Sequence, residues 1–550
     1  MRILGISSPY HDPAACIVED GKIICAVEEE RLIRKKRALG LYPSNAIKWC
    51  LESQSLSLKD IDHVVYSWEL DKIHDKILHL DSINQQLLLP NYLFGNQAYI
   101  RNIEFINHHL SHASSSFRTS GFDSAAILVI DGTGEDNGTS LFRGKKTGEI
   151  ELLQTWQASD SLGLFYEAAT QYAGFAPFEA GKFMGLAAYG KGQLLPYFSL
   201  EPDTYKMDIA SQASYEHIVQ HWIQKFKKDF GPMNRTRFSY DALYCKNRNN
   251  TEYDQRIIDF TASVQFTLEH IVKHILKIAQ KRTNEKNICL SGGVALNCSC
   301  NGKIIQKKIF DDIYIFGAAN DAGTAVGAAC EKWYQIQGEK AKIERVHDLG
   351  MGPEFSYEFT KELLDKFGIA YVTDNAIKKT AELIEANKIG AWFSGKNELG
   401  PRALGHRSII ANSAIESNKD IINLKIKERE TWRPFAPSVT KDYAHTIFGY
   451  DVSMDFMLYS LPLIADHENF KSVIHVDGTT RPQTVSDEYN PEYYHLLSEV
   501  KDRIGFPGIL NTSFNIGGEP IVCRPEEAIK SFYSSMLDFM YINGCLICKK

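Results

Sequence analysis

The run Ile106-Asn107-His108-His109-Leu110-Ser111-His112-Ala113, followed by Ile127-Leu128-Val129-Ile130-Asp131-Gly132-Thr133-Gly134, decides how this chain is read. On a helix, His108 and His112 stand four residues apart and project from one face, a spacing that lets two imidazoles hold one metal ion. The second run is an apolar strand that ends in an acid and a glycine turn. Together they set three metal-competent side chains beside a loop suited to cradling phosphate. The combination points to a metal-assisted nucleotide site in an α/β protein.

The four-residue spacing is weak evidence alone, because His217/His221 and His270/His274 share it. His270 and His274 lie in an amphipathic helix predicted over Ile257–Lys281 and read as surface or half-buried histidines. His217 and His221, next to Trp222 and Phe226, read the same way. Only His108 and His112 are followed by a strand ending in an acid. His109 could alternatively pair with His112 at a three-residue spacing, but is expected behind the His108/His112 pair, in support of it.

Asp131-Gly132-Thr133-Gly134 resembles the strand-turn that cups phosphates in actin-like ATPases, although Asp-Gly is also a common plain turn. Two further turns, Ser291-Gly292-Gly293 and Asn320-Asp321-Ala322-Gly323, sit at the ends of predicted strands before predicted helices. Asp321 could complete a nitrogen and oxygen shell with the histidines, suited to Fe²⁺, Mn²⁺ or Zn²⁺. In Glu179-Ala180-Gly181-Lys182-Phe183-Met184-Gly185, Lys182 and Glu179 could reach a ribose or phosphate; alternatively, the glycines only permit close helix packing.

Working outward, the chain opens with a β-meander: Arg2–Ile6, then Ala14–Val18 and Lys22–Val27 around Glu19-Asp20-Gly21. A helix is predicted over Ser44–Leu51 and a strand over His63–Ser67. The Ala/Gly-rich helix after Asn320 has side chains small enough to pack closely on a sheet. The polar stretch Gln335–Phe355, with Gly338, Gly350, Gly352 and Pro353, is expected to link two domains. This divides the chain into residues 1–340, a linker at 341–355, and residues 356–550. The second part begins a new alternation: helix at Thr360–Lys366, strand at Ile369–Val372, helix at Ile377–Ala386, strand at Ile389–Phe393.

A chain of 550 residues needs more than one core. A formal charge of -7 lacks the basic footprint of a nucleic-acid binder. No apolar run approaches the roughly 18 residues of a membrane span. The absence of a signal-like N-terminus and the eleven scattered cysteines lead to the expectation of a cytoplasmic protein with free thiols. Cys545 and Cys548 lie in an apolar run and are expected in the core.

In the second part, Gly395–Ser408 and Lys425–Pro437 interleave cations with glycines and prolines. Cations presented from tight turns suit a compact phosphate-rich ligand better than a solvated helix face does. Arg481 and Leu510-Asn511-Thr512-Ser513-Phe514-Asn515 add a further cation, amides and hydroxyls.

Eight motifs together resemble the NodU/CmcH-type O-carbamoyltransferases across essentially the full length. They are His108-His-x-x-His112, Asp131–Gly134, Gly181-Lys-x-Met-Gly185, Ser291–Asn297, Asn320–Gly323, Gly400-Pro-Arg-Ala-Leu-Gly-His-Arg407, Trp432–Pro437 and Asn511–Asn515. The resemblance implies an N-terminal actin-like ATPase domain, as in tRNA threonylcarbamoyl transferases, and a C-terminal YrdC-like α/β domain. It implies that the second domain makes carbamoyl adenylate from carbamoyl phosphate and ATP, with Mg²⁺ accompanying ATP. The first domain, carrying a metal that is iron in the family, then transfers the carbamoyl group to a hydroxyl of a small-molecule or sugar acceptor. Under this reading His108, His112 and Asp321 hold the metal, with Asp131 direct or through water. Gly132, Thr133, Gly134, Lys182, Gly292, Gly293 and Asn297 face nucleotide. Arg402, Arg407, Lys427, Arg433 and Arg481 clamp phosphates, with Asn511 and Ser513 beside them. His11, in Ser7-Ser8-Pro9-Tyr10-His11-Asp12, is either the base for the acceptor hydroxyl or a structural loop histidine. The resemblance makes a homodimer reasonable; no nucleic acid or membrane partner is expected. An actin-like small-molecule kinase, a tRNA threonylcarbamoyl transferase-like enzyme and a nucleotide-sensing scaffold are the competing readings.

Overall fold

Two five-stranded sheets in the first part share one topology. A computed structural model of the chain describes all residues except 9, 73–87, 95–102, 210–213, 233–253, 342–343, 451 and 550. The first sheet contains β1 (Arg2–Ser7), β2 (Ala14–Glu19), β3 (Lys22–Glu28), β4 (His63–Tyr66) and β5 (Ile103–Phe105), in the order β3-β2-β1-β4-β5. The second contains β6 (Ala125–Ile130), β7 (Asn137–Gly144) and β8 (Ile150–Gln157). After a small hairpin of β9 (Phe198–Glu201) and β10 (Thr204–Met207), it gains β11 (Asn287–Ser291) and β12 (Asp312–Ile315). Its order is β12-β11-β6-β7-β8. In both sheets a three-stranded antiparallel meander is extended by two parallel strands. The strand β6 is buried along its whole length, as a strand covered on both faces must be.

Two helices lie against each other and against these sheets: the histidine helix His108–Phe117 and the small-residue helix Ala322–Gln337. Their closeness explains the Ala/Gly composition. A Cβ on Gly5 of β1 would stand 2.1 Å from the Ala325 carbonyl oxygen, and one on Gly327 would stand 1.8 Å from that of Ser111. The helix therefore packs on a sheet, as expected, and on the histidine helix too. Gly327→Ala should lower unfolding free energy by about 2–3 kcal/mol through overpacking. Denaturant titration checks this, and an unchanged midpoint would contradict the packing argument.

The second part is built on a seven-stranded mixed sheet. Its strands are β13 (Gly390–Phe393), β14 (Arg407–Ala411), β15 (Ala436–Thr440), β18 (Gln483–Val485), β19 (Gly508–Ser513), β20 (Phe539–Ile542) and β21 (Cys545–Cys548), ordered β18-β15-β19-β14-β13-β20-β21. A separate two-stranded ribbon joins β16 (Leu461–Pro462) and β17 (Thr479–Thr480). Helices Ala376–Glu385 and Pro491–Ile504 bury Ala381, Ile384, Leu496 and Val500 on the sheet beside Trp392 and Tyr541.

Two local expectations fail for physical reasons. Ile369–Val372 forms no strand; only Val372 bridges to Leu546, and this exposed run has a single edge to pair with. Cys545 is in the core but Cys548 is exposed, because three residues along a strand lead to the opposite face.

The stretch expected as a linker is held on both sides. The first residues of Gln335–Phe355 still belong to the small-residue helix, and 342–343 lie outside the described residues. Met351 accepts from the Ala26 N–H at 3.0 Å, and Leu349 accepts from the Leu399 N–H at 2.9 Å. Direct contacts also join the two parts. A Cβ on Gly302 would stand 1.8 Å from the Ser460 oxygen, and Arg31 Nη2 donates to the Gly400 carbonyl at 2.7 Å.

Candidate functional site

Strand ends and helix starts converge on four side chains. His108 and His112 project from the histidine helix, Asp131 directly follows β6, and Asp321 precedes the small-residue helix. One ligand atom from each lies within 4.8 Å of all the others, and all four residues are buried. His108 Nε2 is 3.4 Å from Asp131 and 3.7 Å from Asp321; His112 Nε2 is 3.8 Å and 3.6 Å from the same carboxylates. Ligand bonds of about 2.1 Å around one tetrahedral ion separate donors by roughly 3.4 Å, close to this spread.

The imidazoles are aimed from behind. His108 Nδ1 lies 3.2 Å from the Ser67 carbonyl and His112 Nδ1 3.2 Å from Ser291 Oγ. Such partners fix the tautomer and present Nε2 to a cation. Both Nε2 atoms are buried without a hydrogen-bond partner. Burial would lower His108 basicity, but the charges of Asp321 and Asp131 raise it. Asp131 is held below the usual carboxylate range, against the effect of burial, by His108 and the neighbouring imidazoles. Two buried carboxylates facing two orphaned nitrogens fit a divalent cation of borderline hardness.

His11 stands at the rim, with Nδ1 3.3 Å from Asp12 and 3.8 Å from Asp321. Burial opposes its charge, but Asp321 and Asp12 outweigh burial and raise its pKa to about 9. His109 supports the pair by turning away from it, Nδ1 lying 2.7 Å from Ser140 Oγ and the ring lying against Gly134. The other histidine pairs stay ordinary: His274 meets the Glu201 and Thr204 carbonyls, and His217 meets Ser214.

The glycine turns enclose this centre. Gly293 N–H donates to Asp131 at 2.8 Å, and Gly292 adopts φ +87°, with the Ile130 oxygen 2.4 Å from where a Cβ would lie. Thr133 Oγ1 donates to the Gly134 carbonyl. Asn297 does not face this opening: it caps the following helix at Cys300 N and exchanges amide hydrogen bonds with Gln265. Lys182 pairs with Glu179 at 2.5 Å and faces Glu430 of the second part at 3.8 Å.

Glu135 and Trp68 escaped the sequence reading. Glu135 accepts from His108 N at 3.0 Å, Asn107 Nδ2 at 2.7 Å and Glu69 N at 3.0 Å, tying the glycine turn to the start of the histidine helix. An acid one residue beyond Gly134 was a readable signal. Trp68 stacks on His108 with ring centroids 4.0 Å apart, a contact no local pattern encodes.

The second part holds a cluster of cations. A single π turn, Ile422–Ile426, delivers Lys427 into the interior, where it is 3% exposed. Its Nζ meets Ser513 Oγ at 3.1 Å and Asn515 Oδ1 at 2.8 Å, both neutral partners. Burial, then the charges of Arg429 and Arg433, pushes its basicity far down. Burial with Arg481 and Arg433 lowers Arg402 to about 9, and Nε of both Arg402 and Arg481 is buried without a hydrogen-bond partner. Mutual repulsion of this kind is relieved by a bound polyanion.

Two expected ligands are absent from this cluster. Arg407 is fully buried, donates to the carbonyls of Ser394, His406 and Pro353, and packs 3.6 Å over Phe393. Asn511 donates within the sheet to Ala403, Ser438 and Gln483. Both are strand residues whose side chains point into the fold, a direction that the motif's composition does not reveal.

Among known proteins, the family model for the carbamoyltransferase N-terminus matches residues 2–94 and 83–330, and that for the carbamoyltransferase C-terminus matches 381–549. Nodulation protein NolNO of Sinorhizobium fredii is 36% identical over 559 aligned positions, covering 98% of this chain and 79% of that protein. Nodulation protein U of Rhizobium tropici is 26% identical, covering 100% of this chain and 96% of that protein. Among solved structures, full-length HypF in its phosphate- and nucleotide-bound form aligns with a TM-score of 0.34 at 14% identity, covering 60% of this chain and 54% of HypF. Component A of the Acidaminococcus fermentans (R)-2-hydroxyglutaryl-CoA dehydratase gives 0.35 at 14% identity, covering 62% and 98%.

Proposed function

The chain belongs to the carbamoyltransferase family and is a carbamoyltransferase, and from that premise we propose a two-site, ATP-dependent O-carbamoyl transfer. The observation that carries it is the coexistence, in one chain, of a four-donor His/Asp centre and a separate buried cation cluster. The duplicated β3-β2-β1-β4-β5 topology supports an actin-like first domain. We read the second part, a mixed seven-stranded sheet with the cations on its connecting segments, as a YrdC-like adenylate-forming domain.

In the second domain, carbamoyl phosphate loses its phosphoryl group to water, leaving carbamate. A carbamate oxygen displaces pyrophosphate from the α-phosphorus of ATP and forms carbamoyl adenylate. Arg402, Lys427, Arg433 and Arg481 hold the phosphates and neutralise charge that builds on the departing pyrophosphate. The adenylate passes internally to the first domain, since water would hydrolyse it.

There, His108, His112, Asp131 and Asp321 would hold a divalent cation, iron on the family resemblance, with Mn²⁺ or Zn²⁺ as alternatives. Bound there, it supplies Lewis-acid polarisation and charge stabilisation for the departing AMP. His11 acts from its neutral form, which is favoured once a cation draws on the Asp321 charge that otherwise keeps the ring protonated; it takes the proton of the acceptor hydroxyl as its oxygen bonds to the carbamoyl carbon, and Asp12 stabilises the imidazolium formed. The acceptor is a hydroxylated small molecule or sugar.

Incubating the protein with ATP, carbamoyl phosphate and a panel of hydroxylated compounds tests the reading. AMP, pyrophosphate and phosphate should appear together with a carbamoylated product. ADP as the sole nucleotide product, or indifference to carbamoyl phosphate, would show that the reading is wrong.

A further inference from the structure

The loop of the second domain that carries Arg402 is gripped by the first domain at its start. Leu399 N–H donates to the Leu349 carbonyl at 2.9 Å. The next residue, Gly400, has φ +94°, and a Cβ built on it would stand 3.0 Å from the Gly317 oxygen and 3.2 Å from Ala318 Cα. The backbone angle and the close approach both call for glycine. Gly317 and Ala318 follow β12 and lead to Asp321. The loop therefore lies against the segment that delivers Asp321 to the His/Asp centre.

The Gly400 carbonyl also meets Arg31. This side chain comes from the short helix Glu29–Ile33, just after β3, and the residue is 1% exposed. Its Nη2 donates to the Gly400 carbonyl at 2.7 Å and lies 2.6 Å from Glu28 Oε2, while Nη1 pairs with Glu30. Arginine's planar fork fixes the direction of each such bond, as the freely turning ammonium of lysine does not. A buried ion cluster is a poor way to hold two domains together, since desolvation offsets most of its Coulomb gain. What it supplies here is a fixed position for one carbonyl.

Arg402 stands two residues beyond Gly400, and its Nε is buried without a hydrogen-bond partner. After it, the anchors belong to the second domain. The Ala403 carbonyl accepts from Asn511 Nδ2 at 3.2 Å, Leu404 N–H donates to Glu398 at 2.9 Å, and the Leu404 carbonyl accepts from Gln483 Nε2 at 2.8 Å. Arg402 is thus suspended in a short loop with one end pinned by each domain. Its position depends on both.

We propose that Arg31 is a positioning residue for Arg402, holding the loop Gly400–Ala403 from the first domain so that the second domain's phosphate site is set only when the two domains are docked. Calling that site a phosphate clamp rests on the carbamoyl adenylate reading; the two-sided anchoring of the loop does not. Adenylate formation is thereby confined to chains in which the receiving His/Asp centre already lies alongside, which keeps the intermediate from water.

Calorimetric titration with inorganic pyrophosphate and Mg²⁺ tests it on the full chain, since the fitted site number reports the folded fraction and Kd reports the geometry of the site. Arg31→Met alone strands two buried acids, so it is combined with Glu28→Gln and Glu30→Gln, which remove the charge imbalance. This neutral variant should keep the parent's site number and bind about tenfold more weakly. Gly400→Ala leaves the acids intact and displaces the same anchor, so it should weaken binding likewise. Added to Arg402→Met, the neutral triple change should weaken binding by less than about twofold further, because nothing is then left to position. Parental Kd in the neutral variant and in Gly400→Ala, a full additional loss in the Arg402→Met background, or no pyrophosphate binding by the parent would overturn the proposal. A parallel assay of pyrophosphate release from ATP and carbamoyl phosphate separates the two ideas. Failure of the parent there defeats the carbamoyl adenylate reading and leaves Arg31 to be judged by the titration.

Discussion

His108→Ala should lose the divalent metal and carbamoyl transfer together while still releasing pyrophosphate from ATP and carbamoyl phosphate. The Nε2 atom removed is one of four donors, and the remaining three include two carboxylates left facing each other with a single imidazole between them. Loss of a Lewis acid that stabilises transition-state charge costs several kcal/mol, so transfer should fall at least about 100-fold. The ring also stacks on Trp68 and is wholly buried, so the variant leaves a cavity and should unfold at lower temperature. His108→Asn keeps more of that volume and separates the two effects. Metal content by elemental analysis, with each half-reaction assayed alone, checks the expectation. Loss of both half-reactions in a folded variant would count against a division of labour.

Lys427→Met should produce the opposite pattern: metal retained, pyrophosphate release lost by roughly 100-fold or more. Its effect on stability is the more informative part. Burial and neighbouring cations lower the basicity of Lys427 in the folded chain. The unfolded chain therefore binds more protons at this residue, and its contribution to stability falls as pH drops below the ordinary lysine range. Methionine removes that penalty, at the expense of the amine's hydrogen bonds to Ser513 and Asn515, although Ser513 Oγ still donates to Asn515 Oδ1. The unfolding midpoint at neutral pH should hold or rise as activity disappears, the usual signature of a site strained for function. A marked fall in the midpoint would mean that Lys427 is a structural residue.

The four-donor His/Asp centre was legible because each of its members has a local signal. His108 and His112 are spaced for one helix face, Asp131 precedes a glycine just past a strand end, and Asp321 stands two residues before a glycine at a helix start. The duplicated sheet was not legible, since the two halves share strand order without a sequence repeat. Arg407, Asn511 and Asn297 carry the right chemistry but spend it on carbonyls and amides of their own fold. Glu135 lies between these cases: adjacent in sequence to the glycine turn, it takes its role from the helix start it binds.

Mixing the two variants tests most directly the claim that one chain makes the carbamoyl group reactive and then transfers it internally. On the proposed division of labour, His108→Ala keeps the site assigned to adenylate formation and Lys427→Met keeps the site assigned to transfer. With ATP, carbamoyl phosphate and acceptor, the mixture should form no more carbamoylated product than the two variants assayed separately. Recovery of product to a substantial fraction of the parent rate would contradict the account, because the intermediate would then be crossing solvent between molecules.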